Sequence, residues 1–208
     1  MKILIADDHA IVRKGLKQIL LEEFSSAEIL EVENGNQLLK EIRKQKFDVV
    51  ISDLSMPGLG GLDTLKQLKE EFPKQPVLIL SMHPEDQYAI RVLRAGASGY
   101  LNKETAGDEL VKAVRQITSG KRYISPAVAE KLAENLDIDS SKPLHETLSD
   151  REFEVLKLIA EGKTVSDVAE ILSLSVATIS TYRTRLLEKL HLKNNAELTR
   201  YALDNKMV

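Results

Sequence analysis

The sequence predicts a two-part chain: an α/β unit built on a five-stranded parallel sheet, followed by a small all-α unit. Three observations carry this. Five short apolar runs fall at residues 3–6, 29–32, 49–52, 77–80 and 99–101. Stretches with apolar residues at helical spacing lie between them. After residue 148 no strand-like run occurs.

The runs are nearly continuous rather than alternating, as in strands buried on both faces. Their alternation with helices makes the sheet parallel, because each crossover needs a helix-length connection. Val12, Leu16, Ile19 and Leu20 share one face of the first helix, and Leu38, Leu39 and Ile42 one face of the second. Leu62, Leu65 and Leu68 mark the third helix, and Leu110, Val114 and Ile117 the fifth. The fourth, over 84–95, rests on Pro84 near its first turn and Gly96 just past its end. Residues 1–120 therefore form the first domain. In 121–148 a helix is expected over 125–136, with Ser125 as N-cap and Pro126 at the first helical position. The polar stretch DIDSSKPLHET reads as a linker. Residues 149–208 form the second domain, of four helices. Ser149 and Glu152 make a capping-box pattern. Gly162 ends that helix, Thr164 caps the second, Ser175 and Thr178 open the third, and Asn195 caps the fourth.

Composition narrows the function classes. At 43% hydrophobic and 29% charged, the chain has the means to bury a core. With no Cys, a disulfide scaffold, a thiolate zinc site and a Cys nucleophile are excluded. No run approaches the roughly 18 apolar residues of a membrane span. The start reaches acids by position 7, which is too early for a signal peptide. A cytoplasmic location is expected, without membrane contact.

In a doubly wound sheet, ligands bind beyond the carboxyl ends of the strands. Asp7 and Asp8 end the first strand, Asp53 the third and Ser81 the fourth, and Lys103 follows the fifth. Any one Asp there reads equally as a helix cap or turn residue. Together they describe a cleft. Its three carboxylates repel unless a cation relieves them, and a hard divalent ion such as Mg²⁺ prefers oxygen ligands. Lys103 and Ser81 could hold phosphoryl oxygens, and Asp53 could be a carboxylate nucleophile accepting a phosphoryl group.

The segments ADDHA, SDLSMPGLGGL, LILS and GASGYLNK, in that order on those strands, resemble the receiver domain of bacterial two-component response regulators. The resemblance covers residues 1–120 and implies a flavodoxin-like fold. It implies that Asp53 is the phosphoacceptor. Mg²⁺ would be bound by Asp8, with help from Asp7, alongside Asp53 and the main-chain carbonyl of Ser55. Lys103 would contact the phosphate, and Ser81 with Tyr100 would form a switch pair. Ser55 and His83, each two positions past a site residue, read as tuners of phosphoryl lifetime or as ordinary loop residues. Glu104 stands where many receivers have Pro, which leaves the loop conformation open.

In the second domain, two short helices joined through LSLSVAT fit a helix-turn-helix and fit a plain bundle equally. The fuller pattern resembles the LuxR-type DNA-binding domain: SDRE-x-EVL-x-LIAEGK, then DVAEILSLS, then T-x-S-x-Y-x-x-x-LLEKL. The whole chain thereby resembles a response regulator of the NarL type. This implies a recognition helix over 176–190. At 100° per residue, Ile179, Leu186 and Leu190 face the core and the opposite side carries Ala177, Ser180, Thr181, Thr184 and Arg185. Ala177, Ser180, Thr181 and Thr184 are expected at base edges. Ser175, Thr178, Arg185, Lys189 and Lys193 are expected at phosphates of double-stranded DNA. Arg183 lies nearer the apolar arc, where an internal pair with Glu152 or Glu154 reads at least as well as a phosphate contact. Ser180 replaces a frequent basic residue, Tyr182 a frequent His, and Thr164–Val165 a frequent Ser-Asn. Leu198 and Ala202 are expected at a homodimer contact, though they would equally close the domain core.

The implied function is a transcription regulator switched by phosphorylation from a sensor histidine kinase or an acyl phosphate, not a stand-alone enzyme. An aspartyl phosphatase would carry Asp-x-Asp on the first strand, whereas here the acids are adjacent. A receiver acting through protein contacts alone would not need the complete acid, Ser and Lys set. The net charge of −3 looks wrong for a DNA-binding protein. It divides into −2 over 1–120, −1 over 121–148 and 0 over 149–208, with +3 concentrated in 175–193. A neutral output domain binds DNA weakly as a monomer, so dimerisation must supply much of the affinity.

Overall fold

The computed structural model describes residues 1–83, 85–126, 128–129, 144–205 and 207–208. Two compact units divide the chain, Met1–Asn135 and Leu136–Val208. The first alternates β1 (Lys2–Ala6), α1 (Ala10–Glu23), β2 (Glu28–Val32), α2 (Gly35–Lys44), β3 (Val49–Asp53), α3 (Gly61–Glu71), β4 (Val77–Ser81), α4 (Glu85–Arg94), β5 (Gly99–Asn102) and α5 (Ala106–Thr118).

All five strands are parallel, in the order β2-β1-β3-β4-β5. This is the flavodoxin-like order, with its switch point between β1 and β3. β3 and β4, Val-Val-Ile-Ser-Asp and Val-Leu-Ile-Leu-Ser, are buried along their whole length. That is why neither alternates. One face of the sheet packs on Leu16, Leu20, Leu110, Ala113, Val114 and Ile117 from α1 and α5. Each such Leu or Ile, fully buried, contributes about 1.5–3 kcal/mol.

The first unit continues beyond residue 120. Tyr123, which the sequence placed in the linker, is buried in this core and bridges to Gly99 beside β5. Ser125 Oγ accepts the Val128 N–H at 3.3 Å, in keeping with an N-cap. Most of the helix expected over 125–136 lies outside the described residues.

The second unit opens with a 3₁₀ turn, Leu144–Thr147, then α6 (Asp150–Ala160), α7 (Val165–Ile171), α8 (Val176–Lys189) and α9 (Asn195–Asp204). Ser149 and Thr164 each cap through a full capping box, with Glu152 and Asp167. Ser175 caps α8 by accepting the Thr178 N–H. The cap of α9 is Asn194 rather than Asn195: its side chain accepts the Glu197 N–H, which fixes the helix start one residue earlier. Gly162, at φ +87°, turns the chain out of α6 in the left-handed region. Among the described residues, Phe153, Leu156, Val168, Ile179, Leu186, Leu190 and Leu198 build the core.

Gly61, at the start of α3, packs directly under the third strand's end. A Cβ there would lie 2.2 Å from the Asp53 carbonyl oxygen and 2.6 Å from Leu54 Cα. Both are backbone atoms, so the strand end itself would have to shift. Gly61→Ala should lower stability by about 1–3 kcal/mol in urea unfolding. It should also slow modification at Asp53. Wild-type stability in this variant would show that the turn yields without cost.

Candidate functional site

The parallel register assembles the site. Ala6 pairs with Ser52, so Asp7 and Asp53 emerge side by side. Ser81 pairs with Asn102, which brings Lys103 to the same edge, and the Lys103 N–H donates to the Ser81 carbonyl at 2.8 Å. Asp7 and Asp53 are 1% and 2% exposed. Lys103 Nζ stands 2.7 Å from Asp7 Oδ2 and 2.9 Å from Asp53 Oδ2. These contacts are ionic: neither Oδ2 receives a well-directed hydrogen bond. Burial pushes the Asp53 carboxyl above its ordinary pKa, against the opposing pull of Lys103 and the Ser55 N–H. Burial disfavours the Lys103 ammonium, but Asp53 and Asp7 outweigh that and hold its pKa up.

Ligand atoms of Asp7, Asp8, His9 and Asp53 lie within 4.8 Å of one another. The set fits a hard divalent cation. Two buried carboxylate oxygens have no directed donor, and Asp8, exposed at the rim, adds a third carboxylate. His9 was not singled out from sequence. Its Nδ1 lies 3.2 Å from Asp7 Oδ1 and 2.9 Å from Asp8 Oδ1, and its N–H donates to Asp7 Oδ1 at 2.8 Å. Ser55 sits beside the site, its N–H donating to Asp53 Oδ1 at 3.2 Å.

Ser81 and Tyr100 are both buried, and both meet His83. Ser81 Oγ accepts the His83 N–H at 3.0 Å. The Tyr100 hydroxyl donates to the His83 carbonyl at 2.8 Å, so the ring stands inward. The His83 ring stacks on Tyr88, centroids 4.6 Å apart, and its Nε2 lies 3.4 Å from Ser55 Oγ.

In the second unit, Ala177, Ser180, Thr181, Thr184 and Arg185 form the exposed side of α8, and Ser175 and Lys193 are also exposed. The Thr181 and Thr184 hydroxyls donate to the Ala177 and Ser180 carbonyls, both at 3.0 Å. They therefore offer methyl groups and acceptor lone pairs rather than donors. Ser175 Oγ and Thr178 Oγ1 bond each other at 2.7 Å within the cap.

Three further readings of this unit meet the structure here. Lys189, expected at phosphate, donates to Glu152 Oε2 at 2.7 Å, and its side chain stays 42% exposed. Arg183 pairs with neither Glu152 nor Glu154; its Nε donates to Asn195 Oδ1 at 2.6 Å. Leu198 and Ala202, expected at a dimer contact, are fully buried in the unit's own core, so neither side chain faces a partner. On α9 the large apolar residue left exposed is Leu203.

A parallel sheet with an acidic, lysine-bearing edge, joined to a separate helix-turn-helix unit, defines a signalling receiver coupled to a DNA-binding output. Comparison with known proteins agrees. Residues 3–115 match the response regulator receiver domain, and residues 146–202 match the bacterial regulatory proteins of the luxR family. The chain belongs to the two-component response regulators of the NarL type, which are transcriptional regulators. It is 37% identical to the oxygen regulatory protein NreC of Staphylococcus haemolyticus, over 100% of this chain and 99% of that one. It is 34% identical to the response regulator UvrY of Escherichia coli, over 98% and 94%. Among solved structures it resembles RcsB from Salmonella enterica serovar Typhimurium, bound to promoter rprA in the presence of phosphomimetic BeF3⁻. The TM-score there is 0.65 at 31% identity, over 97% of this chain and 98% of that one.

Glu152 is 2% exposed and its Oε2 accepts both the Ser149 N–H and Lys189, each at 2.7 Å. Burial opposes its ionisation, but Lys189 and Ser149 outweigh that and hold its pKa below the ordinary 4.5. A carboxyl depressed on folding contributes stability above its unfolded pKa and loses it as pH falls through the folded value. Glu152→Gln should cost about 1–3 kcal/mol at pH 7, read by hydrogen exchange in residues 149–202. The gap to wild type should close as pH falls below 4.5. A gap constant with pH would mean the charge is idle.

Proposed function

We propose that this protein is a cytoplasmic transcription regulator whose DNA binding is switched by phosphorylation of Asp53. The observation that carries the reading is the Asp7–Lys103–Asp53 ion contact at the switch point of the sheet. A buried carboxylate with a cation beside it is placed to become a nucleophile whose product charge is already balanced. One Asp53 oxygen forms the new bond to phosphorus as the bond to the donor, a phosphohistidine of a sensor histidine kinase or an acyl phosphate, breaks. Lys103 then holds a phosphoryl oxygen.

Asp7, Asp8, Asp53 and the Ser55 carbonyl would hold Mg²⁺. When bound there, it supplies charge neutralisation and orientation for the transferring phosphoryl group. The protein's part is positioning, not turnover on a separate substrate, so the reading is a switch and not a stand-alone enzyme.

His83 couples the switch. Its N–H holds Ser81 Oγ and its carbonyl holds the Tyr100 hydroxyl. The Ser81 hydroxyl hydrogen is left to donate to a phosphoryl oxygen. A shift of Ser81 toward that oxygen moves His83 and so changes the hold on Tyr100. This biases the surface around α4 and β5. The exposed side of α8 reads double-stranded DNA, with Ala177, Ser180, Thr181 and Thr184 at base edges. Ser175, Thr178, Arg185, Lys189 and Lys193 lie at phosphates. A homodimer on paired half-sites supplies the affinity that a neutral domain lacks. Among the described residues, no helix is long and apolar enough to cross a membrane.

Phosphoramidate or acetyl phosphate should add one phosphoryl mass to the wild-type chain, only with Mg²⁺ present, and none to Asp53→Asn. Labelling that persists in Asp53→Asn would place the nucleophile elsewhere. On DNA, Thr184→Ala should weaken specific binding by roughly 1 kcal/mol and leave non-specific binding nearly unchanged. Equal losses on all sequences would remove Thr184 from base readout.

A further inference from the structure

Arg13 is a charged residue in a core position. It occupies the buried face of α1 with Leu16 and Leu20, at spacings of three and four, and is 8% exposed. Burying a guanidinium is costly unless its donors find partners. Here Nη1 donates to the Asp7 main-chain oxygen at 2.6 Å, and Nη2 donates to Glu33 Oε1 at 3.3 Å. Nε lies 3.8 Å from Glu31 Oε2, beyond hydrogen-bond reach, and has no hydrogen-bond partner. Lys17 holds that same Glu31 at 2.8 Å.

We infer that Arg13 is a positioning residue for the divalent-cation site, acting through the Asp7 backbone. The inference rests on the assignment of Asp7, Asp8 and Asp53 as the cation site. The Asp7 carbonyl lies at the sharp exit from β1, where the chain must present two adjacent carboxylates. Its N–H is tied to the Val32 carbonyl at 3.2 Å. The Arg13 bond fixes the next peptide, at the Asp7 carbonyl, so Asp7 is clamped on both sides of its Cα. Glu31 and Glu33, from the end of β2 and just beyond it, orient the fork from behind. A simple α1-to-β2 staple would be satisfied by the two glutamates alone. The shortest and most buried bond runs instead to the residue that carries the metal-facing carboxylate.

Lysine cannot reproduce this, because one ammonium does not span the carbonyl and the glutamate with a planar fork. The test is Mn²⁺ binding to the unphosphorylated full chain, followed by electron paramagnetic resonance. Arg13→Lys and Arg13→Gln are compared with Glu33→Gln, which loosens the staple and leaves the Asp7 bond. Loss of a residue that orients a metal ligand typically lowers affinity about 10–100-fold. That loss is expected for both Arg13 variants, with Glu33→Gln within about threefold of wild type. If Arg13→Gln fails to fold, Arg13→Lys decides alone, because it keeps the buried charge. Wild-type affinity in Arg13→Lys overturns the inference, as does an equal loss in Glu33→Gln. Absence of Mn²⁺ binding in the wild-type chain would instead overturn the cation-site assignment itself.

Discussion

The structure of the first unit turns on one electrostatic arrangement: Lys103 Nζ held between Asp7 and Asp53 at the carboxyl edge of the sheet. Two carboxylates this buried would repel and resist ionisation without a cation between them. Parallel pairing makes their proximity unavoidable. Once β1 and β3 are in register, the residues after Ala6 and Ser52 must emerge as neighbours. Loop lengths, the Gly61 close approach and the Arg13 clamp all serve to hold three such strand ends in place.

The same edge gathers the proposed switch residues around one side chain. Ser81, Tyr100 and Ser55 come from different strands and loops, yet each touches His83. On the proposed reading, a change at the phosphoryl position would reach the α4 side through this one residue. That is the form of a two-state element, in which local charge selects between packed arrangements.

In the second unit, caps do the corresponding work. Helices of seven to fourteen residues are marginal by themselves, so packing and termini decide whether they persist. Glu152 joins both tasks. It completes the cap of α6 and pairs with Lys189 at the end of α8, linking the start of the unit to the helix proposed to read DNA. Lys189 remains partly exposed beside that contact, so it shares the outward basic character of 175–193 with Arg185 and Lys193.

Much of this was legible from residue order alone. Continuous apolar runs, helical spacing, capping boxes and the strand-end acids are local signals, and local chemistry produced them where expected. What the sequence determined by itself was the set of elements, the parallel class of the sheet, and the placing of Asp7, Asp8, Asp53, Ser81 and Lys103 at its carboxyl edge. Partners across the fold were another matter. The sequence offered Arg183 to a glutamate or a phosphate, and Leu198 with Ala202 to a dimer. Only tertiary packing decided otherwise, because which side chain a charge meets, and which apolar face is already covered, depends on residues distant in the chain. His9 and Arg13 were passed over for the same reason. A histidine after two acids and an arginine in an apolar stripe acquire meaning only when the strand end they touch is in place.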